Sequence, residues 1–252
     1  MLLEEEKKSN KITQRDELLS NKHAPFNNAN LGVWKEFFAT LVGNIFTLTV
    51  IATIVLAILF NLNEVDRKCI AEFVTYSIVF VLLITVLGKD TKKLLRKFAD
   101  WVPYVVGIAI GLSVILLDEL YLRFVNIFYT TGVGGNEVGI REAVKYFPVA
   151  SLFIFGFIGP MCEELTYRFG LFNLIKRWNR VCAYIITGLV FGFIHMKYDG
   201  NIVTEFILLP TYIIPGFLFA IAYDLYDLPC SYTAHITNNL IAITQLIIRY
   251  HS

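Results

Sequence analysis

Apolar residues in this chain come in long blocks closed by clusters of charge, instead of recurring every three or four positions. That pattern predicts helices bathed in hydrocarbon on most sides, because a soluble amphipathic helix shows a polar stripe. The clearest block is uncharged for the 27 residues between Glu36 and Glu64, long enough at about 1.5 Å per residue to cross a core of roughly 30 Å. Phe73–Gly88 (16 residues) and Trp101–Leu117 (17 residues) predict two more spans, the second opening on an aromatic anchor. Pro148–Met161 continues through Cys162, Glu163 and Glu164 to Ile175 and predicts one long helix that carries charge at membrane depth. Val181–Ile194, Phe206–Tyr223 and Leu228–Ile248 complete an all-α, polytopic transmembrane bundle of about seven spans.

Composition agrees with this reading. At 56% hydrophobic, 15% aromatic and 17% charged, the 252-residue chain is too apolar for a soluble domain of its size. A net charge of +1 argues against nucleic acid as a partner, since such domains carry a concentrated basic face, and the apolar excess is expected to face membrane lipid. Cys69, Cys162, Cys182 and Cys230 form no CxxC pair and no disulfide framework. Residues 1–36 mix both signs of charge with no apolar h-region and read as a cytoplasmic polar tail, so the first span is expected to act as an uncleaved anchor. Residues 37–146 are expected to be accessory helices with an external loop at about 118–146, and 147–249 the chemical core. Fourteen Lys and Arg fall on the side of the tail and seven on the other, which by the positive-inside rule sets the N-terminus in the cytoplasm. The chain is thus expected to be a multi-pass plasma-membrane protein, or one of the endoplasmic reticulum if eukaryotic.

Charges inside apolar blocks need compensation or a function, since each costs about 2.5–3.5 kcal/mol at mid-bilayer. Glu164 and Arg168 stand at i,i+4 with the acid first, which suits a helical ion pair and explains both as structure. Glu163, turned about 100° away, has no such partner and shares its face with Gly156, Gly159 and Gly170. His195 shares its face with Gly188 and Gly192, so both side chains are expected on helix-packing seams. Glu163 lies 13 residues before Lys176 and His195 15 after Arg180, which puts each about 20 Å along its helix and at matching depth across a hairpin. A carboxylate and an imidazole at one level can share a water, as general-base activation requires. His235 and Asn239, at i,i+4 in the last span, add two donors suited to an oxyanion.

The bland readings stand beside these. A single intramembrane histidine more often links helices than catalyses, and a carboxyl such as Glu163 can be satisfied by a carbonyl. Cys162 in an apolar run reads as packing, as do Phe191 and the glycine pairs 107/111 and 188/192. Pro210 and Pro215 need only a kink, Glu72 an interface, and Asp118, Glu119, Asp224 and Asp227 water at span ends.

Taken in order, Glu163-Glu164-x-x-x-Arg168, Phe191-x-x-x-His195 and His235-x-x-x-Asn239 resemble the three signature motifs of the CAAX protease and bacteriocin-processing (CPBP, or Abi) family of intramembrane endopeptidases, over roughly 147–248. The resemblance implies peptide-bond hydrolysis, with Glu163 and His195 activating water, His235 and Asn239 holding the oxyanion, and Glu164 and Arg168 in support. It also raises a metalloprotease chemistry with Glu163, His195 and His235 as candidate ligands, a set that hydrolytic zinc uses. A metal-free mechanism uses the same residues, and no HExxH decides between them. The implied substrates are a prenylated CAAX tail, or a leader, bacteriocin or signalling peptide. Competing expectations are an idle immunity or scaffold member of that family, and a proton-coupled transporter. The absence of an internal repeat weighs against the transporter.

Overall fold

The computed structural model describes residues 31–197 and 201–252, together with Phe26, Asn28 and Ala29. Most of the expected polar tail therefore lies outside the described residues, including Lys7, Lys8, Lys11, Arg15 and Lys22 of the charge count. The described residues are helical with no strand. In chain order the helices are α1 (Val33–Gly43), α2 (Ile45–Ile58), α3 (Glu64–Leu87), α4 (Thr91–Lys97), α5 (Val102–Val125), α6 (Gly135–Tyr146), α7 (Pro148–Lys176), α8 (Arg180–His195), α9 (Ile202–Leu208) and α10 (Pro210–His251).

By length and composition, four helical segments qualify as membrane spans, or five if α1 and α2 count as one bent span; the expected seven are not confirmed. Three local features explain the difference. The block expected as the clearest single span breaks at Asn44, where the backbone turns extended, the side chain caps Thr47 N at 3.1 Å, and α1 and α2 diverge by 42°. Helix α8 has only 16 residues. The expected sixth and seventh spans fall in one helical run, which counts once by length and composition although non-helical Tyr226 and Asp227 divide it into two limbs.

That interruption is a reversal of the chain. Phe219 and His235 are sixteen residues apart, about 24 Å along a straight helix, yet their rings stack with centroids 4.5 Å apart. Asp227 takes a left-handed φ of 62° to make the turn. Its carboxylate accepts from its neighbour's Leu228 N (2.7 Å) and from Ala29 N (2.6 Å), and pairs with Lys97. Asp224 is fully buried and is bound by Lys176 (2.5 Å), Arg180 (3.1 Å) and the Tyr184 hydroxyl (2.5 Å). Both aspartates were expected to be solvated; the fold surrounds them with cations from three other helices, which offsets their desolvation.

Two further corrections concern the connection at 118–146. Instead of a loop, α5 continues to Val125 and a separate helix, α6, covers 135–146. Glu72, Asp118 and Glu119 line one cavity, and Glu119 is exposed and paired with Arg123 at 2.7 Å.

The apolar core gathers Val79, Leu83 and Leu87 of α3, Leu165, Phe169 and Phe172 of α7, and Ala220 and Tyr223 of α10. Helix α5 lies against the second limb of α10 at backbone distance. A Cβ at Gly107 would stand 2.6 Å from Cys230 O, and one at Gly111 2.5 Å from Ala234 O, so this pair does serve packing. Gly188 and Gly192 likewise let α8 meet Phe217 and Ile213 on the first limb of α10. Gly156, Gly159 and Gly170 do not form one seam: they face Leu240, Tyr76 and Thr40 on three different helices. The cause is the winding of α7, which passes through two π-helical stretches, Ile154–Ile158 and Glu164–Phe172. Each shifts the face that later residues present.

Candidate active site

The charged helix α7 is continuous through Glu163 and Glu164, as its pattern predicts. Its π winding starts where Pro160 supplies no backbone N–H. In the π register Gly159 N donates to Ile154 O, and Phe155 O would need the N–H that Pro160 lacks. Asn239 on the second limb of α10 takes up that carbonyl, donating from Nδ2 to Phe155 O at 3.0 Å, and accepts at Oδ1 from Asn238 at 3.2 Å. Asn239 thus has one Nδ2 hydrogen left for a ligand.

Glu163, His195 and His235 line one cavity of about 710 Å³. Oε2 of Glu163 has no hydrogen-bond partner and stands 3.9 Å from His195 Nε2 and 3.7 Å from His235 Nε2. The matching depth expected for Glu163 and His195 is therefore realised, and His235 joins them at the same carboxylate oxygen. Each imidazole is held by its other nitrogen. His195 Nδ1 bonds its own helix at Phe191 O (2.7 Å), and His235 Nδ1 bonds Glu164 Oε1 (2.9 Å). Both rings are clamped by aromatics: Tyr212 stacks on His195 at 5.1 Å with 13° between planes, and Phe219 on His235 at 4.5 Å with 22°. Such locking removes rotamer freedom before any ligand arrives.

Glu164 and Arg168 are fully buried and form the expected i,i+4 pair, Nη1 to Oε1 at 3.4 Å. Arg168 also donates to Gly216 O (3.3 Å) and lies over the faces of Phe191 (4.4 Å) and Phe219 (5.4 Å). The pair does more than neutralise itself, since Oε1 of Glu164 also orients His235. Phe191, read from sequence as packing alone, supplies the carbonyl that aims His195 and one face of the Arg168 cradle.

Tyr76, Tyr212 and Phe219 were missed by the sequence reading. Tyr76 comes from α3, and its hydroxyl donates to Glu163 Oε1 at 3.4 Å. No spacing rule links positions 87 residues apart; the only local signal was a tyrosine inside an otherwise apolar block. Cys162, beside Glu163, is buried with its Sγ 3.7 Å from Tyr76 O, consistent with packing.

Glu163, His195 and His235 were tested as metal ligands by distance. A four-coordinate zinc holding N and O at about 2.0–2.1 Å keeps its ligand atoms roughly 3.3–3.4 Å apart. The set here is wider, and among the described residues no group of three His, Cys, Asp or Glu is arranged to hold a metal ion. The residues as placed do not fit zinc.

Long apolar helices around a buried carboxylate–imidazole cluster define an integral membrane protein of all-helical fold. Residues 145–241 match the family described as Type II CAAX prenyl endopeptidase Rce1-like, which bears out the resemblance carried by the three motifs. An uncharacterized protein of Mycoplasma capricolum subsp. capricolum is 26% identical over 240 residues, 91% of this chain and 62% of that protein. The UPF0177 protein YvdC of Lactococcus lactis subsp. lactis is 26% identical over 174 residues, 64% of this chain and 66% of that protein. The chain spans slightly under two thirds of the length of these curated relatives. No solved structure matches.

Proposed function

We propose that this protein is an intramembrane endopeptidase of the CAAX-protease type, with residues 147–249 as its catalytic core. The carrying observation is Glu163 Oε2, unpartnered among the described residues and facing two imidazole Nε2 atoms on the wall of a cavity of about 710 Å³. Gaps of 3.7–3.9 Å are too long for direct hydrogen bonds and are bridged naturally by a water. Glu163 takes a proton from that water while His195 Nε2 orients it, and the hydroxide attacks the scissile carbonyl. The oxyanion forms against His235 Nε2 and the remaining Nδ2 hydrogen of Asn239. Donation from Nε2 requires a proton on each ring nitrogen; the Glu163 carboxylate faces that charge before the proton transfer and the oxyanion after it. Glu164 orients the His235 ring, and Arg168 holds Glu164. Glu163 then delivers its proton to the leaving amine, and the two peptide products separate.

The substrate in this reading is a peptide or protein segment in the membrane, and the six Lys and Arg of residues 1–36 support a cytoplasmic N-terminus in a plasma membrane. The test is cleavage of a peptide library by purified protein in detergent or nanodiscs. Wild type is expected to cleave and Glu163→Gln to be inert; undiminished cleavage by Glu163→Gln would remove Glu163 as the base, and an inert wild type would favour an idle family member.

A further inference from the structure

Resting on that reading, we propose that Tyr76 is a positioning residue of the site: its hydroxyl holds Glu163 Oε1 so that Oε2 alone is presented to water. The hydroxyl lies 3.4 Å from Glu163 Oε1, whereas Oε2 is the oxygen that faces both imidazoles and has no hydrogen-bond partner. The two carboxylate oxygens thus have different surroundings, with Tyr76 on Oε1 and the two imidazoles facing Oε2. Without that bond the carboxylate can rotate about its last torsion, which has a broad profile and no staggered well to stop it. A 3.4 Å hydrogen bond is long, as catalytic hydrogen bonds often are before substrate binds, and it has room to tighten.

The surroundings of the ring support a fixed role. Tyr76 lines the same cavity as Glu163. Its ring packs edge-on against Phe155 at 6.4 Å and 88°, on the carbonyl-bearing residue that Asn239 anchors. A Cβ at Gly159 would stand 3.5 Å from Tyr76 Cε1, so the ring lies beside α7 one turn before Glu163. The backbone of Tyr76 is tied to α7 through Cys162 Sγ at 3.7 Å. Helix α3 lies outside the matched stretch 145–241, so the three motifs account for the reacting groups and an accessory helix sets their alignment.

The experiment is steady-state cleavage of the same peptides by Tyr76→Phe, which keeps the ring and its packing. The expected result is a fall in kcat of roughly tenfold to a hundredfold with KM within about twofold, as misplacement of a catalytic group produces. Combined with Glu163→Asp, the loss is expected to be smaller than the product of the two single losses, because the shortened carboxylate no longer reaches the hydroxyl. Replacement of Tyr76 by 3-fluorotyrosine, a stronger donor of the same shape, is the second variant and is expected to change kcat without changing KM. Equal kcat in wild type and Tyr76→Phe, strictly multiplicative losses with Glu163→Asp, or an effect confined to KM would each overturn the role while leaving the endopeptidase reading intact. No cleavage by wild type would overturn both.

Discussion

Nδ1 of His235 lies 2.9 Å from Oε1 of Glu164, an oxygen that also faces Arg168 Nη1 at 3.4 Å. One buried carboxylate therefore serves both a charge that must be neutralised and a ring that must be aimed. Glu164→Gln is expected to lower kcat roughly 10²- to 10⁴-fold, as loss of a ring-orienting carboxylate does. It is also expected to destabilise the fold by about 3–5 kcal/mol, because Arg168 stays buried without its partner. Unfolding in detergent and kcat from peptide cleavage read the two effects separately; if only stability falls, the carboxylate orients nothing.

Glu163→Gln should behave differently. Gln keeps an oxygen for the Tyr76 contact and replaces an Oε2 that bonds nothing among the described residues, so stability is expected to stay nearer wild type than in Glu164→Gln, which strands Arg168. A melting temperature nearer wild type than that of Glu164→Gln, together with absent cleavage, is the expected pair of readings. A variant that melts much earlier would make Glu163 a structural residue.

At Gly111 a Cβ would stand 2.5 Å from Ala234 O and 2.8 Å from Thr237 Cβ. Gly111→Val must push α5 away from the limb that carries His235 and Asn239. The expected cost is about 1–3 kcal/mol of stability with a parallel loss of cleavage, measured by thermal melting and turnover. Unchanged melting would show that the two helices do not meet as closely as described.

The hairpin at Asp227 separates backbone strain from side-chain bonding. Asp227→Gly keeps the positive φ at no steric cost but loses the Lys97 and Ala29 contacts, whereas Asp227→Ala loses both advantages. The expected order of stability is wild type, then Gly, then Ala, with the last two separated by about 1 kcal/mol. An alanine variant as stable as the glycine variant would contradict the left-handed turn.

Because the Glu163, His195 and His235 atoms stand wider than a zinc tetrahedron, cleavage is expected to survive extensive treatment with a strong chelator. Loss of activity that added zinc restores would show that the three side chains close around a metal.

Hydropathy alone was enough to place this chain in a membrane as helices, because apolar blocks of that length have no other stable solvent. Local periodicity also sufficed for the Glu164–Arg168 pair, since i,i+4 contact is a property of one helix. The shared depth of Glu163 and His195 followed from counting residues to a common turn, since helical rise is nearly constant. Contacts between distant segments were beyond such counting. Tyr76 reaches Glu163 across 87 positions, and Asp224 finds Lys176 across 48. The reversal at Asp227 is held by Lys97 and Ala29 from other segments, and the Phe155 carbonyl left over by the π winding of α7 is taken up by Asn239 of α10. Tertiary packing decided those points, and with them the number of full spans and the identity of the side chains that aim the two histidines.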